Sequence, residues 1–488
     1  MSTEDMVAPA NLTSLCCRAL AALLGQQSVA LPGSAEYTEF LGSYFSAQQE
    51  AMQPACIALP RTTQDVSKTI NCLTSQEFGR PLFAIRAGGH ANWAGASNIA
   101  GGFVVDLRAI NSVQISEDKS KVFVGAGAHW EDVYAKLDPL GLSVNGGRAA
   151  EVGVGGLTLG GGLSYFSPRY GWTCDTVVNF EIVLADASIV HANAESNPGL
   201  FYALKGGNNN FGVVTRIDLT TFEQGLLWSG SVFNPVSVVD DVISEFVKIG
   251  SPEAYDEDAT FYTSFGFSQA RGIPIIASNL EYAKPIAPPS IYQDFLALPN
   301  LMNTSELMNM TTLAKATRAL QPAHPRILSR VSTFALTTEV LKATYAQWSA
   351  TIPSISQVSN LVWAIVLEPL PPGIYARHAN GNALGLADRT GSFVVVLLSA
   401  AWTDPSDDEL VVDAANKLMA AINEQAKDLG DLDPFVYLNY AGQDQNPIGS
   451  YGATSVAQLQ AIRNRVDTGG IFTNQVPGGF KIPPEATV

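Results

Sequence analysis

The sequence predicts an α+β protein in which one domain is inserted into another, and three observations lead there. A chain of 488 residues is too long for a single hydrophobic core and divides into two or three packed units. Glycine is frequent, at 42 residues, and its dense clusters lie before Gly225 and stop from there to about Gly430. Over that stretch, long helical patterns alternate with apolar strands. The expected division is residues 1–225 for the first part of one domain, 226–430 for the inserted domain and 431–488 for the return of the chain to the first.

The elements follow in order. Residues 62–73 read as a helix with Val66, Ile70 and Leu73 on one face. Residues 82–86 read as a short strand running into Gly88-Gly89, and 103–107 and 122–124 are β-type runs. Trp130, Val133, Tyr134 and Leu137 fall at i, i+3, i+4 and i+7, an amphipathic helix that His129 caps or packs. Residues 177–184 are a further strand, ended by Asp186. In the middle part, 361–367 and 393–398 are apolar strands, and Ala414, Ala415, Leu418 and Ile422 mark a helix after them. The proline-rich stretches 284–289 and 368–372 read as loops. A final helix is expected over 456–465.

Composition excludes several classes of function. Hydrophobic residues make up 47% and charged residues 15%, which argues against wholesale disorder. Lys plus Arg is 28 against 45 Asp plus Glu, and a net charge of -17 repels phosphate backbones, so no nucleic-acid partner is expected. No run of 18 apolar residues occurs, so no membrane-spanning helix is expected. The first residues are acidic and no clear signal peptide is seen, which favours the cytoplasm over secretion. The five cysteines lack C-x-x-C spacing, so no metal is expected. A bridge from Cys16 or Cys17 to Cys56 and a set of free buried thiols both stay open.

Three glycine-rich clusters carry the chemistry. In Arg86-Ala87-Gly88-Gly89-His90, two glycines after a strand let the backbone turn tightly and offer N–H groups to a phosphate, with a histidine held at the end of the turn. Gly153-Val154-Gly155-Gly156-Leu157-Thr158-Leu159-Gly160-Gly161-Gly162 has six glycines in ten residues. So much backbone freedom is costly to fix, and it suits main chain wrapped around a ligand rich in oxygens, such as a pyrophosphate. The pattern is neither the dinucleotide fingerprint nor a nucleotide-triphosphate loop. The third cluster is Gly206-Gly207-Asn208-Asn209-Asn210-Phe211-Gly212.

In this order and spacing the clusters resemble the FAD-binding domain of the vanillyl-alcohol oxidase superfamily, in its berberine-bridge-enzyme-like branch. The resemblance covers residues 52–222 and 437–481, about half the chain. It implies a two-part FAD-binding domain with an inserted substrate domain, an antiparallel sheet flanked by helices, roofing the flavin ring. His90 matches the histidine bonded to the flavin 8α carbon, and Arg86, Ala87, Gly88 and Gly89 match the turn holding the cofactor. Gly153, Gly155, Gly156, Leu157, Gly160, Gly161 and Gly162 match the loop at the pyrophosphate and ribityl chain, and Asp175 and Ile182 match later FAD contacts. Tyr437, Asn439 and Tyr440 match a C-terminal strand lining the flavin ring. Val152 matches a gatekeeper beside the oxygen-reactive carbon, where valine leaves room for dioxygen. Many relatives carry a second flavin-linked cysteine where this chain has Ala149, so covalent attachment through His90 alone is expected. The run Gly160 to Ser167 looks like the fungal tailoring oxidases of natural-product pathways.

The implied reaction is removal of a hydride from a small organic substrate, with electrons passed to dioxygen as hydrogen peroxide. Candidate catalytic residues are Tyr440, Glu368 and Tyr437. A carboxylate beside an apolar strand can act as base, whereas a phenol needs help. The competing readings are a redox-neutral isomerase or cyclase, an oligosaccharide oxidase, and a non-catalytic flavin-binding protein. The departures at Ala149 and Leu157 count against the sugar oxidase.

Overall fold

The computed structural model describes residues 10–318 and 325–485; the acidic first residues lie outside them. Near the N-terminus a four-stranded sheet runs in the order Val29–Ala30, Cys56–Ala58, Phe103–Asp106, Phe83–Arg86. The last three are parallel. The helix Thr63–Leu73 packs beside it and starts where Thr62, in extended backbone, accepts the Asp65 N–H on its hydroxyl at 3.1 Å. The helix Ala10–Leu24 is fastened to the same sheet by a Cys17–Cys56 disulfide, while Cys16, Cys72 and Cys174 are free and buried.

A second, antiparallel sheet orders Val113–Ile115, Lys121–Gly125, Val213–Glu223, Val177–Val183 and Ile189–Ala192, with Leu142–Val144 also paired to Val213–Glu223. The helix Trp130–Leu137 lies against this core with Trp130, Val133, Tyr134 and Leu137 all fully buried, the stripe its spacing predicts.

The third sheet is the largest. Its antiparallel order is Met302–Asn303, Leu227–Pro235, Pro274–Tyr282, Ala259–Ser268, Val362–Leu370, Phe393–Trp402, Arg326–Ala335 and Leu432–Asp433, with Glu306–Met308 also paired to Leu227–Pro235. One face is covered by the helices Val239–Ile249, Thr338–Ile355 and Asp408–Leu429. Phe261, Phe265, Ile276, Leu280, Trp363, Ile365, Leu367, Val394 and Leu398 point into that layer. The opposite face turns toward the glycine-rich domain: Thr260 donates to the Tyr165 carbonyl at 2.8 Å and Asn92 donates to Ser329 Oγ at 3.1 Å.

Two expectations are corrected here. The loop expected over residues 368–372 begins later, because the strand Val362–Leu370 runs through Glu368 and Pro369. The C-terminal strand expected around residues 437–440 is instead a 3-10 turn, Leu438–Tyr440.

Candidate active site

The three glycine clusters meet. A Cβ on Gly88 would stand 2.6 Å from the Gly153 Cα, and a Cβ on Gly153 only 2.5 Å from the Gly88 nitrogen. Any side chain at either position would push the first two clusters apart. The third joins the second through the Asn208 N–H, which donates to the Leu159 carbonyl at 3.1 Å. It joins the C-terminal segment through Asn209 and Asn210, which donate to the carbonyls of Gly478 and Phe480.

His90 ends the first cluster. Its ring stacks on Phe45 at 3.7 Å and is half-buried. Burial pushes its pKa down to about 4, with nearby His129 adding to the fall, so the imidazole is neutral near pH 7. Gly156 faces open space, where a Cβ would meet nothing within 4 Å, and Val152 and Leu157 flank it half-buried. Gly160 and Gly162 have a different use: a Cβ there would collide with Asn439 and Thr173, so these glycines admit protein neighbours.

Three of the residues expected at the cofactor have side chains engaged or buried within the protein. The buried Arg86 guanidinium donates to the carbonyls of Phe40 and Ser43 and lies 3.8 Å from the centre of the Tyr44 ring. It braces the turn, and a Cβ on Gly89 would strike it. Both carboxylate oxygens of Asp175 are engaged, by the Trp172 N–H and by Asn382 Nδ2. The Ile182 side chain is fully buried within the second sheet.

A second centre stands beside the cradle. Asn439 donates to the Leu157 carbonyl at 3.0 Å, and the Tyr437 hydroxyl accepts the Leu163 N–H at 2.9 Å, which seats the turn Leu438–Tyr440 on the second cluster. Tyr440 packs edge-on against Tyr437 and donates to Glu368 Oε1 at 2.8 Å. Arg148 Nη2 donates to the same carboxylate oxygen at 2.6 Å and also to the Tyr440 hydroxyl. Arg148 was not among the residues predicted from sequence. It comes from the loop after Leu142–Val144, which passes so close over Trp130 that a Cβ on Gly147 would enter the indole. The Tyr134 hydroxyl fastens this loop by donating to the Gly147 carbonyl at 2.7 Å.

Burial opposes the charge on Arg148, but Glu368 and the tyrosines around it outweigh that and hold its pKa above the usual value. Burial raises the Tyr440 pKa, and Glu368 adds to the rise while Arg148 opposes it. The Arg148 side chain remains 15% exposed and that of Glu368 6%. A cavity of about 540 Å³ beside Arg18 and Ala55 is lined by none of these groups.

Comparisons with known proteins bear on the family and the fold. A family model described as an FAD binding domain covers residues 54–193. At 47% identity, 95% of the chain aligns with 37% of Oligopeptidase PhomG' of Diaporthe leptostromiformis, so the chain spans a little over a third of that relative's length. At 34% identity, 96% of the chain aligns with 94% of the FAD-dependent monooxygenase tpcD of Cochliobolus heterostrophus. The chain belongs to the FAD-linked oxidoreductases that carry this FAD binding domain. The 6-hydroxy-D-nicotine oxidase of Arthrobacter nicotinovorans shares the fold of this FAD-linked oxidoreductase, with a TM-score of 0.79 at 20% identity over 94% of this chain and 98% of that one.

The residues present fit FAD. A backbone-lined cradle, an open face at Gly156 and a neutral imidazole at the end of a glycine turn suit a long phosphate-bearing flavin. The trio Arg148, Glu368 and Tyr440 adds the means to move a proton in this FAD-linked oxidoreductase.

Proposed function

We propose that this chain is an oxidase that removes a hydride from a C–H bond of a small organic substrate, a secondary metabolite, and passes the electrons to dioxygen to give hydrogen peroxide. The observation that carries this reading is the hydrogen-bonded trio Arg148, Glu368 and Tyr440 seated on the glycine cradle. FAD, when bound, supplies the hydride acceptor. The chain's own residues handle the proton. The substrate hydroxyl gives its proton to the Tyr440 oxygen while Tyr440 passes its own to Glu368 Oε1 along the 2.8 Å bond. A phenol with a raised pKa is a weak base alone, and this relay removes the need for a free phenolate. Arg148 stabilises the negative charge that develops on the phenol oxygen.

We further propose that FAD is attached through His90 alone. The neutral ring leaves one nitrogen lone pair free to bond the flavin carbon, Phe45 fixes the ring plane, and Ala149 offers no second thiol. Val152, half-buried beside the cradle, supports access for dioxygen. A second reading has one observation in its favour: the relative of 34% identity is named a monooxygenase, and the matching reaction here would insert one oxygen atom into the product.

Anaerobic mixing with phenolic, polyketide, alkaloid and sugar panels, followed by admission of air, tests these readings. The oxidase reading expects flavin bleaching by at least one compound, and one peroxide per turnover once air enters. Labelled dioxygen appearing in the product, without peroxide, would replace it with the monooxygenase. A colour that no compound in the panels bleaches would sink both. Acid-precipitated protein should stay yellow, and His90→Ala should release the colour to the supernatant.

A further inference from the structure

Glu281 is an anomaly in this structure. Only 2% of it is exposed, and neither carboxyl oxygen has a hydrogen-bond partner among the described residues. Other buried carboxylates here are paired: Asp106 with Arg108, and Asp258 with Arg169 and Lys284. A buried polar group without a partner is uncommon in folded proteins and costs stability. Ser229 lies directly opposite Glu281 in the strand register, is 1% exposed, and its hydroxyl is also without a partner.

Both belong to the face of the large sheet that turns toward the cradle. Thr260, the register partner of Glu281 on its other side, is the residue bonded to the Tyr165 carbonyl. Arg148, Glu368, Tyr165 and Tyr262 are near enough to influence the Glu281 carboxyl or to be influenced by it. Burial raises its pKa and so favours the neutral carboxyl, which both donates and accepts. Glu281 and Glu368 stand on strands separated by one other, Ala259–Ser268. Glu281 faces Thr260 and Glu368 falls level with Tyr262, so at about 4.8 Å per strand and about 3.4 Å per residue their backbones stand roughly 12 Å apart.

We propose that Glu281 and Ser229 form a second anchor for the substrate, one that takes a hydroxyl or carbonyl oxygen at the end opposite the reacting carbon. The ligand class that satisfies both ends is an elongated, oxygenated aromatic molecule of linked or fused rings. One end meets Tyr440 and Glu368; the other meets the unpartnered acid and hydroxyl. This rests on the oxidase reading for the role of the first end only.

The test is calorimetric titration of the oxidised holoenzyme with 4,4'-dihydroxybiphenyl and with 4-hydroxybiphenyl, which differ only in the far hydroxyl. The wild type should bind the diol at least about tenfold tighter. Glu281→Leu should abolish that preference and leave the affinity for the single phenol unchanged, and Glu281→Gln should keep part of it. Because the leucine removes an unpartnered buried acid, its melting temperature should equal or exceed that of the wild type, which excludes loss of fold as the cause. Equal affinities for the two probes in the wild type, failure of both to bind, or a preference that survives Glu281→Leu would each overturn the proposal. Binding is read without turnover. A protein that shows the preference but never reduces its flavin refutes the oxidase reading alone. One that turns over without the preference refutes the anchor alone.

Discussion

The two faces of the large sheet are made by the same strands and obey different rules. Along Val362–Leu370, Trp363, Ile365 and Leu367 point to the helices, while Ala364, Val366 and Glu368 point to the cradle. The helix face is apolar and closely filled, with aromatic pairs such as Phe265 and Trp348 among its contacts. The cradle face carries Ser229, Thr260, Tyr262, Glu281, Ser329, Thr333 and Glu368. Three of these, Ser229, Glu281 and Thr333, are buried with side-chain oxygens that find no partner among the described residues. One face gains stability from burial. The other forgoes part of that gain and keeps polar groups available to a ligand, as expected where a site is built on a scaffold.

Single substitutions on the two sides should separate these rules. Tyr440→Phe keeps the ring packed on Tyr437 and leaves the Arg148–Glu368 pair intact, but removes the relay oxygen. Stopped-flow measurement should show flavin reduction slowed by roughly 10²–10⁴-fold, with the melting temperature little changed. Leu367→Ala alters the neighbour of Glu368 on the opposite face, where the side chain is 1% exposed. It should cost about 2–5 kcal/mol of stability and leave the reduction rate per bound flavin near that of wild type. If Leu367→Ala slowed chemistry as much as Tyr440→Phe did, the two faces would not be functionally distinct.

Most of the frame of the molecule was legible in the sequence, because local patterns carried it. The stripe from Trp130 to Leu137 and the capped helix after Thr62 needed no long-range information. The glycine clusters read as backbone approaching a phosphate-bearing ligand, and the structure adds a second use for them, the close approach of one cluster to another at Gly88 and Gly153. Glu368 was legible as a residue but misplaced in a loop, on account of Pro369. The proline is tolerated because pairing with Ala259–Ser268 stops at Leu367, so no N–H is required on that side. Arg148 was missed because its partners Glu368 and Tyr440 lie 220 and 292 residues away. Glu281 was missed for another reason. Alternation of Ile276, Ser278 and Leu280 with Ala277, Asn279 and Glu281 reads as a strand with one wet face, and only the docking of the first domain buries it.

The smallest expected effect is a slope rather than an offset, and it bears on the same contrast. Burial holds the Glu281 pKa well above its ordinary value of 4.5. Below pH 4.5 the carboxyl is protonated in both folded and unfolded chains, so its titration costs nothing. Above that pH the unfolded chain releases the proton and the folded one retains it. The folded state therefore loses stability as pH rises, by at most about 1.4 kcal/mol per pH unit, until the folded pKa is passed. Denaturant midpoints across that range, compared between wild type and Glu281→Leu, should diverge with rising pH in favour of the variant. Leu367→Ala has no titrating group to lose, and its difference from wild type should stay flat. A flat difference for Glu281→Leu as well would mean that the acid is ionised and paired in the folded protein, and the cradle face would then be as fully satisfied as the helix face.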